Sequence, residues 1–140
     1  MSFQVPRFAG RTILVVEDDP DSRVMMRQML EALGARVVLA ESATAALRAL
    51  TGETPDLVLC DLRLAELDDF GLIRRLREEP QLSKKPVVAV TARGSAADYQ
   101  QTWEAGFDGH FVKPIDFDTA AEILGRYLPD RPATSDPRAA

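Results

Sequence analysis

Five short apolar runs, with room for one helix between each and the next, limit what this chain can fold into more than any other feature. They are Ile13-Leu14-Val15-Val16, Val37-Val38-Leu39-Ala40, Leu57-Val58-Leu59-Cys60, Val87-Val88-Ala89-Val90 and Phe111-Val112. Continuously apolar runs this short, rich in β-branched residues, read as parallel strands buried on both faces. Each run stops at a polar residue, in order Glu17-Asp18, Glu41, Asp61, Thr91 and Lys113-Pro114. In an open α/β sheet, function collects in the crevice outside the carboxyl ends of the strands. The carboxylates of Glu17, Asp18 and Asp61, the Thr91 hydroxyl and the Lys113 ammonium are therefore expected to converge on one pocket. Such a pocket suits a divalent cation and an aspartyl phosphate.

The stretches between the runs read as helices. Asp19-Pro20 offers an N-cap followed by proline at the first helical position, where a missing N–H costs nothing. Met26, Met29, Leu30 and Leu33 then recur at helical spacing, and Gly34 is a natural stop. Ser42 can cap a second helix carrying Ala46, Leu47 and Leu50, which ends near Gly52. A third, near residues 70–79, places Leu72, Ile73 and Leu76 on one face, with Pro80 to end it. Ser95 caps a fourth, on which Ala96, Tyr99 and Trp103 share a side, and Gly106 closes it. Asp116 caps a fifth with Phe117, Ala120, Ala121, Leu124 and Leu128.

Alternating units with short connections require right-handed crossovers, and hence a parallel sheet with helices on both faces. The expected fold is α/β and flavodoxin-like: a five-stranded doubly wound parallel sheet of order 2-1-3-4-5. Its reversal point lies between the strands that end in Glu17-Asp18 and in Asp61. Residues 1–10 read as an N-terminal extension and residues 11–128 as one domain. Residues 129–140, with three prolines and no periodicity, read as a disordered tail.

Composition narrows the class further. The chain has 140 residues, enough to bury a core without staples, and its one cysteine excludes an internal disulfide framework. Cys60 lies inside an apolar run and is expected to pack as a small hydrophobe. A formal net charge of −5 argues against nucleic acid as a partner. No apolar stretch is long enough to cross a bilayer, so no membrane association is expected. The N-terminus lacks the apolar core of a signal peptide, and the expected location is cytoplasmic.

Taken in order and at their spacing, the acidic pair, the lone Asp61, Thr91-Ala92 and Lys113-Pro114 resemble the receiver domain of bacterial two-component response regulators. The likeness runs from about Arg11 to Leu128. It implies that Asp61 is the phosphoacceptor and that Glu17 and Asp18 are the acidic pair of an Mg²⁺ site. Asp61 and the backbone carbonyl of Arg63 would complete that site, with a water held by Glu17. Thr91, Ala92 and Lys113 would bind the phosphoryl group, Thr91 and His110 would form the switch, and Pro114 would set the loop geometry through a cis peptide. Two positions depart from the family pattern. Ala65 stands where proline is usual, and Asp69 where glycine is usual, which bears on the loop from 62 to 69.

The chemistry asks for these residue types. A carboxylate attacks an anionic phosphoryl group poorly because like charges repel, and Mg²⁺ offsets that repulsion by bridging oxygens of both. It takes octahedral oxygen ligation and retains several waters. Lys113 is a compact cation for one phosphoryl oxygen, and Thr91 a donor to another. Each feature alone has a plainer reading. Asp19 is a helix cap, with no metal role. Asp61 alone could be a loop cap, Thr91 a turn residue, and Lys113-Pro114 a turn. His110 alone would be a structural histidine, and Tyr99 and Trp103 read as packing residues, in part exposed at a partner surface. Only the set, gathered at four of the five strand ends, outweighs those readings.

The function expected from the resemblance is a phosphorylation-dependent signalling switch rather than a classical enzyme. Its phosphoryl group would come from a sensor histidine kinase or a histidine phosphotransfer protein. With no further domain after the last helix, the message is expected to leave by protein contact or onward phosphotransfer. The face built from the fourth helix, fifth strand and fifth helix is the expected route, and a phosphorylation-dependent dimer an expected state. Two alternatives stay open: a phosphatase that forms an aspartyl phosphate and turns it over, and a receiver-shaped module that binds partners without phosphate. A phosphatase of that kind would carry a substrate cap, for which the chain has no room.

Overall fold

The computed structural model describes residues 7–62 and 70–128. The carbonyl of Arg63, the substituted loop positions Ala65 and Asp69, and the tail from 129 to 140 lie outside the described residues. Five strands and five helices alternate along the chain: β1 Thr12–Val16, α1 Pro20–Ala32, β2 Arg36–Ala40, α2 Ala43–Ala49 and β3 Leu57–Cys60, then α3 Gly71–Arg77, β4 Val87–Thr91, α4 Ala96–Ala105, β5 Gly109–Val112 and α5 Phe117–Tyr127. All the pairings are parallel, and the strand order is β2-β1-β3-β4-β5. The sheet is therefore the expected doubly wound one.

Alternation along each strand divides the core in two. From β1, Ile13 and Val15 join Met26, Leu30, Ala120, Ile123 and Leu124 under α1 and α5. Leu14 and Val16 join Ala43, Ala46, Leu72, Ile73 and Leu76 under α2 and α3. The central strands β3 and β4 are buried at every position, which is why their sequences are apolar without alternation. Phe8, in the segment read as an extension, is 4% exposed and packs with the α1/α5 half of the core.

Helix ends follow local chemistry. The Asp19 side chain accepts from the Ser22 N–H, and Pro20 opens α1, as the sequence reading expects. Ser42, Ser95 and Asp116 cap the starts of α2, α4 and α5. The third helix is shorter than its apolar spacing suggests: α3 closes at Arg77, and Pro80 opens a separate 3-10 turn, Pro80–Leu82. Proline there starts an element rather than simply ending one, because the missing N–H suits a first turn as well as a break.

Candidate functional site at the carboxyl ends of the strands

Register brings the site together. Val16 on β1 pairs with Cys60 on β3, so the next residues, Glu17 and Asp61, emerge side by side. Cys60 pairs with Ala89 on β4, and Thr91, two residues further, pairs with Val112 on β5, just before Lys113. Carboxylate oxygens of Glu17, Asp18 and Asp61 lie within 4.8 Å of one another. The Lys113 ammonium donates to Asp61 Oδ2 at 2.9 Å and to Glu17 Oε1. The Lys113-Pro114 peptide is cis, the conformation expected of it.

The described residues include only four buried polar or charged side chains, and three of them are Glu17, Asp61 and Thr91. Carboxylates are almost never buried unless something compensates them. Burial is the main cause that raises the Glu17 carboxyl from 4.5 to about 7, helped by the Asp61 carboxylate and opposed by Lys113. Burial also works against the Lys113 ammonium, yet its bonds to Glu17 and Asp61 prevail and hold it above 10.5. Three hard oxygen donors gathered within 4.8 Å of one another, two of them buried, fit a small divalent cation.

Asp18 is the exposed member of the trio, at the mouth. Asp19 faces the helix instead, held acidic by the Ser22 backbone N–H it caps, and it is not part of the cluster. The Thr91 hydroxyl is fully buried and accepts from the Arg93 N–H at 3.3 Å, while Ala92 beside it is exposed. His110 lies apart from this pocket. Its ring packs under Tyr99, with Nε2 at 2.6 Å from the Arg93 carbonyl and Nδ1 at 2.8 Å from the Thr102 hydroxyl. Cys60 is fully packed, and burial pushes its thiol far up from its ordinary value, in keeping with a small hydrophobe.

Two residues escape the sequence reading, Arg23 at the site and Thr102 beside His110. Arg23, in the first turn of α1, donates through Nη1 to the carbonyls of Glu17 at 2.9 Å and Asp18 at 3.0 Å. It fixes the backbone that carries the acidic pair. The signal was a cation at a helix N-terminus, where the helix dipole disfavours it. Thr102, the fourth buried polar residue, has no such local signal. Beside Asp61 a cavity of about 370 Å³ opens between α1 and the segment after β5, walled by Met25, Met26, Met29, Val90 and Ile115.

Tyr99 and Trp103, read as packing residues in part exposed at a partner surface, are 44% and 71% exposed on α4. Val112, on β5, is also exposed. None of the described helices is long and apolar enough to cross a membrane.

The sequence model of the response regulator receiver domain matches residues 13–124. An uncharacterised 14.6 kDa protein of Leptolyngbya boryana is 43% identical over 108 residues, which are 77% of this chain and 82% of that protein. Response regulator Rre1 of Synechocystis is 34% identical over 126 residues, covering 89% of this chain and 54% of the relative, so the chain spans about half of it. The polar-differentiation response regulator DivK of Brucella abortus is 28% identical over 120 residues, covering 86% of this chain and 98% of DivK. Among solved structures, the receiver domain of sensor histidine kinase PA1611 from Pseudomonas aeruginosa, which has a magnesium ion in its active site cleft, superposes with a TM-score of 0.77. It is 32% identical, over 85% of this chain and 98% of that one. Chemotaxis response regulator CheY4 of Vibrio cholerae, at 24% identity and a TM-score of 0.80 over 84% of this chain and 98% of that one, shares the fold.

Proposed function

The chain belongs to the response regulator receiver domain family, and from that premise we propose that it is a phosphorylation-dependent switch in which Asp61 is the phosphoacceptor. The observation that carries this reading is the Lys113 ammonium seated between the Asp61 and Glu17 carboxylates, with Asp18 in the same cluster.

Asp18 and Asp61 would hold Mg²⁺, with Glu17 beside them and the Arg63 carbonyl as the remaining protein ligand. A bound dication supplies charge neutralisation between the carboxylate and the phosphoryl oxygens. The Asp61 carboxylate oxygen forms the new O–P bond as the P–N bond of a phosphohistidine breaks, and the electron pair leaves with the imidazole. Lys113 then pairs with a phosphoryl oxygen in place of part of its present carboxylate contact. The Thr91 oxygen accepts from Arg93, which leaves its own proton to donate to a second phosphoryl oxygen. The exposed Ala92, with no bulk at the mouth, leaves room for the third. The cavity between α1 and Ile115 leaves space beside Asp61 for an incoming donor.

The donor partner is a sensor histidine kinase or a histidine phosphotransfer protein. Output leaves through the α4–β5–α5 face, where Tyr99 and Trp103 stand exposed, to a downstream protein or a second copy. A switch of this kind keeps its phosphoryl group rather than turning over phosphate esters, so it is not a classical enzyme. Incubation with a small phosphoryl donor should label the protein only when Mg²⁺ is present, and Asp61→Asn should abolish the label. Equal labelling of that variant, or labelling without a divalent cation, would overturn the assignment.

A further inference from the structure

The Thr102 hydroxyl, 1% exposed on the inner face of α4, stands between two partners. Its oxygen lies 2.9 Å from the Tyr99 carbonyl and 2.8 Å from His110 Nδ1. Across the ring, Nε2 lies 2.6 Å from the Arg93 carbonyl in the loop between β4 and α4. Carbonyl oxygens only accept, and that fixes two protons. Nε2 must carry one, and the single hydroxyl proton of Thr102 goes to Tyr99. The Thr102 oxygen then has only lone pairs to offer the ring, so Nδ1 carries a proton as well. All three bonds coexist only when the ring is doubly protonated. In a neutral ring with its proton on Nε2, Nδ1 becomes an acceptor and competes with the Tyr99 carbonyl for one proton.

We propose that Thr102 is a positioning residue that makes His110 a proton-linked clamp, tying the β4–α4 loop to α4 more firmly when the ring is protonated than when it is neutral.

The surroundings agree with that sense. The Tyr99 ring stacks on the imidazole at 4.1 Å and 25°, a face that favours a cation. From α4 the charged group near the ring is Asp98, and from the loop Arg93, of opposite charge. Just before β5 it is Asp108, already held by Arg77 and the Val87 N–H. From α5, Arg126 and Tyr127 line the same depression as His110. The hydrogen bonds to Thr102 and Arg93 set how the clamp responds to a proton.

Arg93 carries the effect inward, since its carbonyl meets His110 while its N–H meets the Thr91 hydroxyl. The consequence for signalling rests on the proposed switch; the clamp itself does not. Its test therefore uses the full chain without phosphate or metal. The His110 ring and the Thr91 and Arg93 amides are followed together by NMR across pH in the wild type, Thr102→Ser and Thr102→Val. Both amides should titrate with the ring in the wild type. The pH response of the Thr91 and Arg93 amides should shrink in Thr102→Val, which has no oxygen for Nδ1, and persist in Thr102→Ser. Thr102→Ala carries the same expectation should valine disturb the fold. An undiminished amide response in a folded valine or alanine variant, or wild-type amides that ignore the ring, would overturn the proposal.

Discussion

At Glu17 the residue scale carries the clearest energetic statement. Its carboxyl keeps a proton up to about pH 7 in the folded, metal-free protein, whereas the unfolded chain releases it near 4.5. Between those values the unfolded state binds fewer protons, so stability falls as pH rises through the window and levels off above it. A dication reverses the preference by favouring the ionised form. Thermal unfolding with and without Mg²⁺ should therefore show a metal-induced rise in Tm that grows from pH 5.5 to pH 7.5. Glu17→Gln should flatten the metal-free slope in that range. A slope that survives in the variant would place the titrating group elsewhere. Arg23 supports the same site from behind, through the carbonyls of Glu17 and Asp18. Arg23→Ala should weaken Mg²⁺ binding by about 10-fold, as loss of an orienting group beside metal ligands does, and isothermal titration would measure it. An unchanged dissociation constant would mean that the acidic pair holds itself in place.

At the scale of single elements, α4 combines a strong start and stop with an exposed aromatic pair, Tyr99 and Trp103. Ser95 and Asp98 form a reciprocal capping box, and Gly106 closes the helix at φ +111°, a left-handed conformation that other residues adopt at a cost. Gly106→Ala should destabilise the protein by about 1 kcal/mol in urea unfolding without altering metal binding. No loss would show that the helix end relaxes freely. Strands and caps were legible because their signals are local: a β-branched run, a Ser or Asp at the right step, a glycine at a stop. The 3-10 turn at Pro80 was not, since proline suits both the end of one element and the start of another. Arg23 and Thr102 were hidden for a different reason. Arg23 acts through backbone carbonyls and Thr102 through a histidine on another element, so neither relation leaves a periodic trace.

For the whole molecule, the site follows from register. Once β1, β3, β4 and β5 pair in parallel, the residues just past Val16, Cys60 and Val112 must meet, and that much could be read from where the apolar runs stop. Which way His110 faces could not be, because the side of a short, half-buried strand that the α4 contacts occupy is set by packing. If the account holds, loading Asp61 should shift NMR amides on α4 and β5, and Thr91→Ala should keep the phosphoryl group while losing those shifts. Full shifts in that variant would send the signal by another route.

The central claim is that the chain takes one phosphoryl group on Asp61 and keeps it. The most direct measurement is transfer from a phosphohistidine donor in Mg²⁺, followed by intact-mass and peptide mass spectrometry of the product. One acyl phosphate per chain, confined to the peptide that contains Asp61 and absent from Asp61→Asn, is the predicted result. A phosphoryl group on another residue, or steady release of inorganic phosphate with no loaded chain detected, would contradict it.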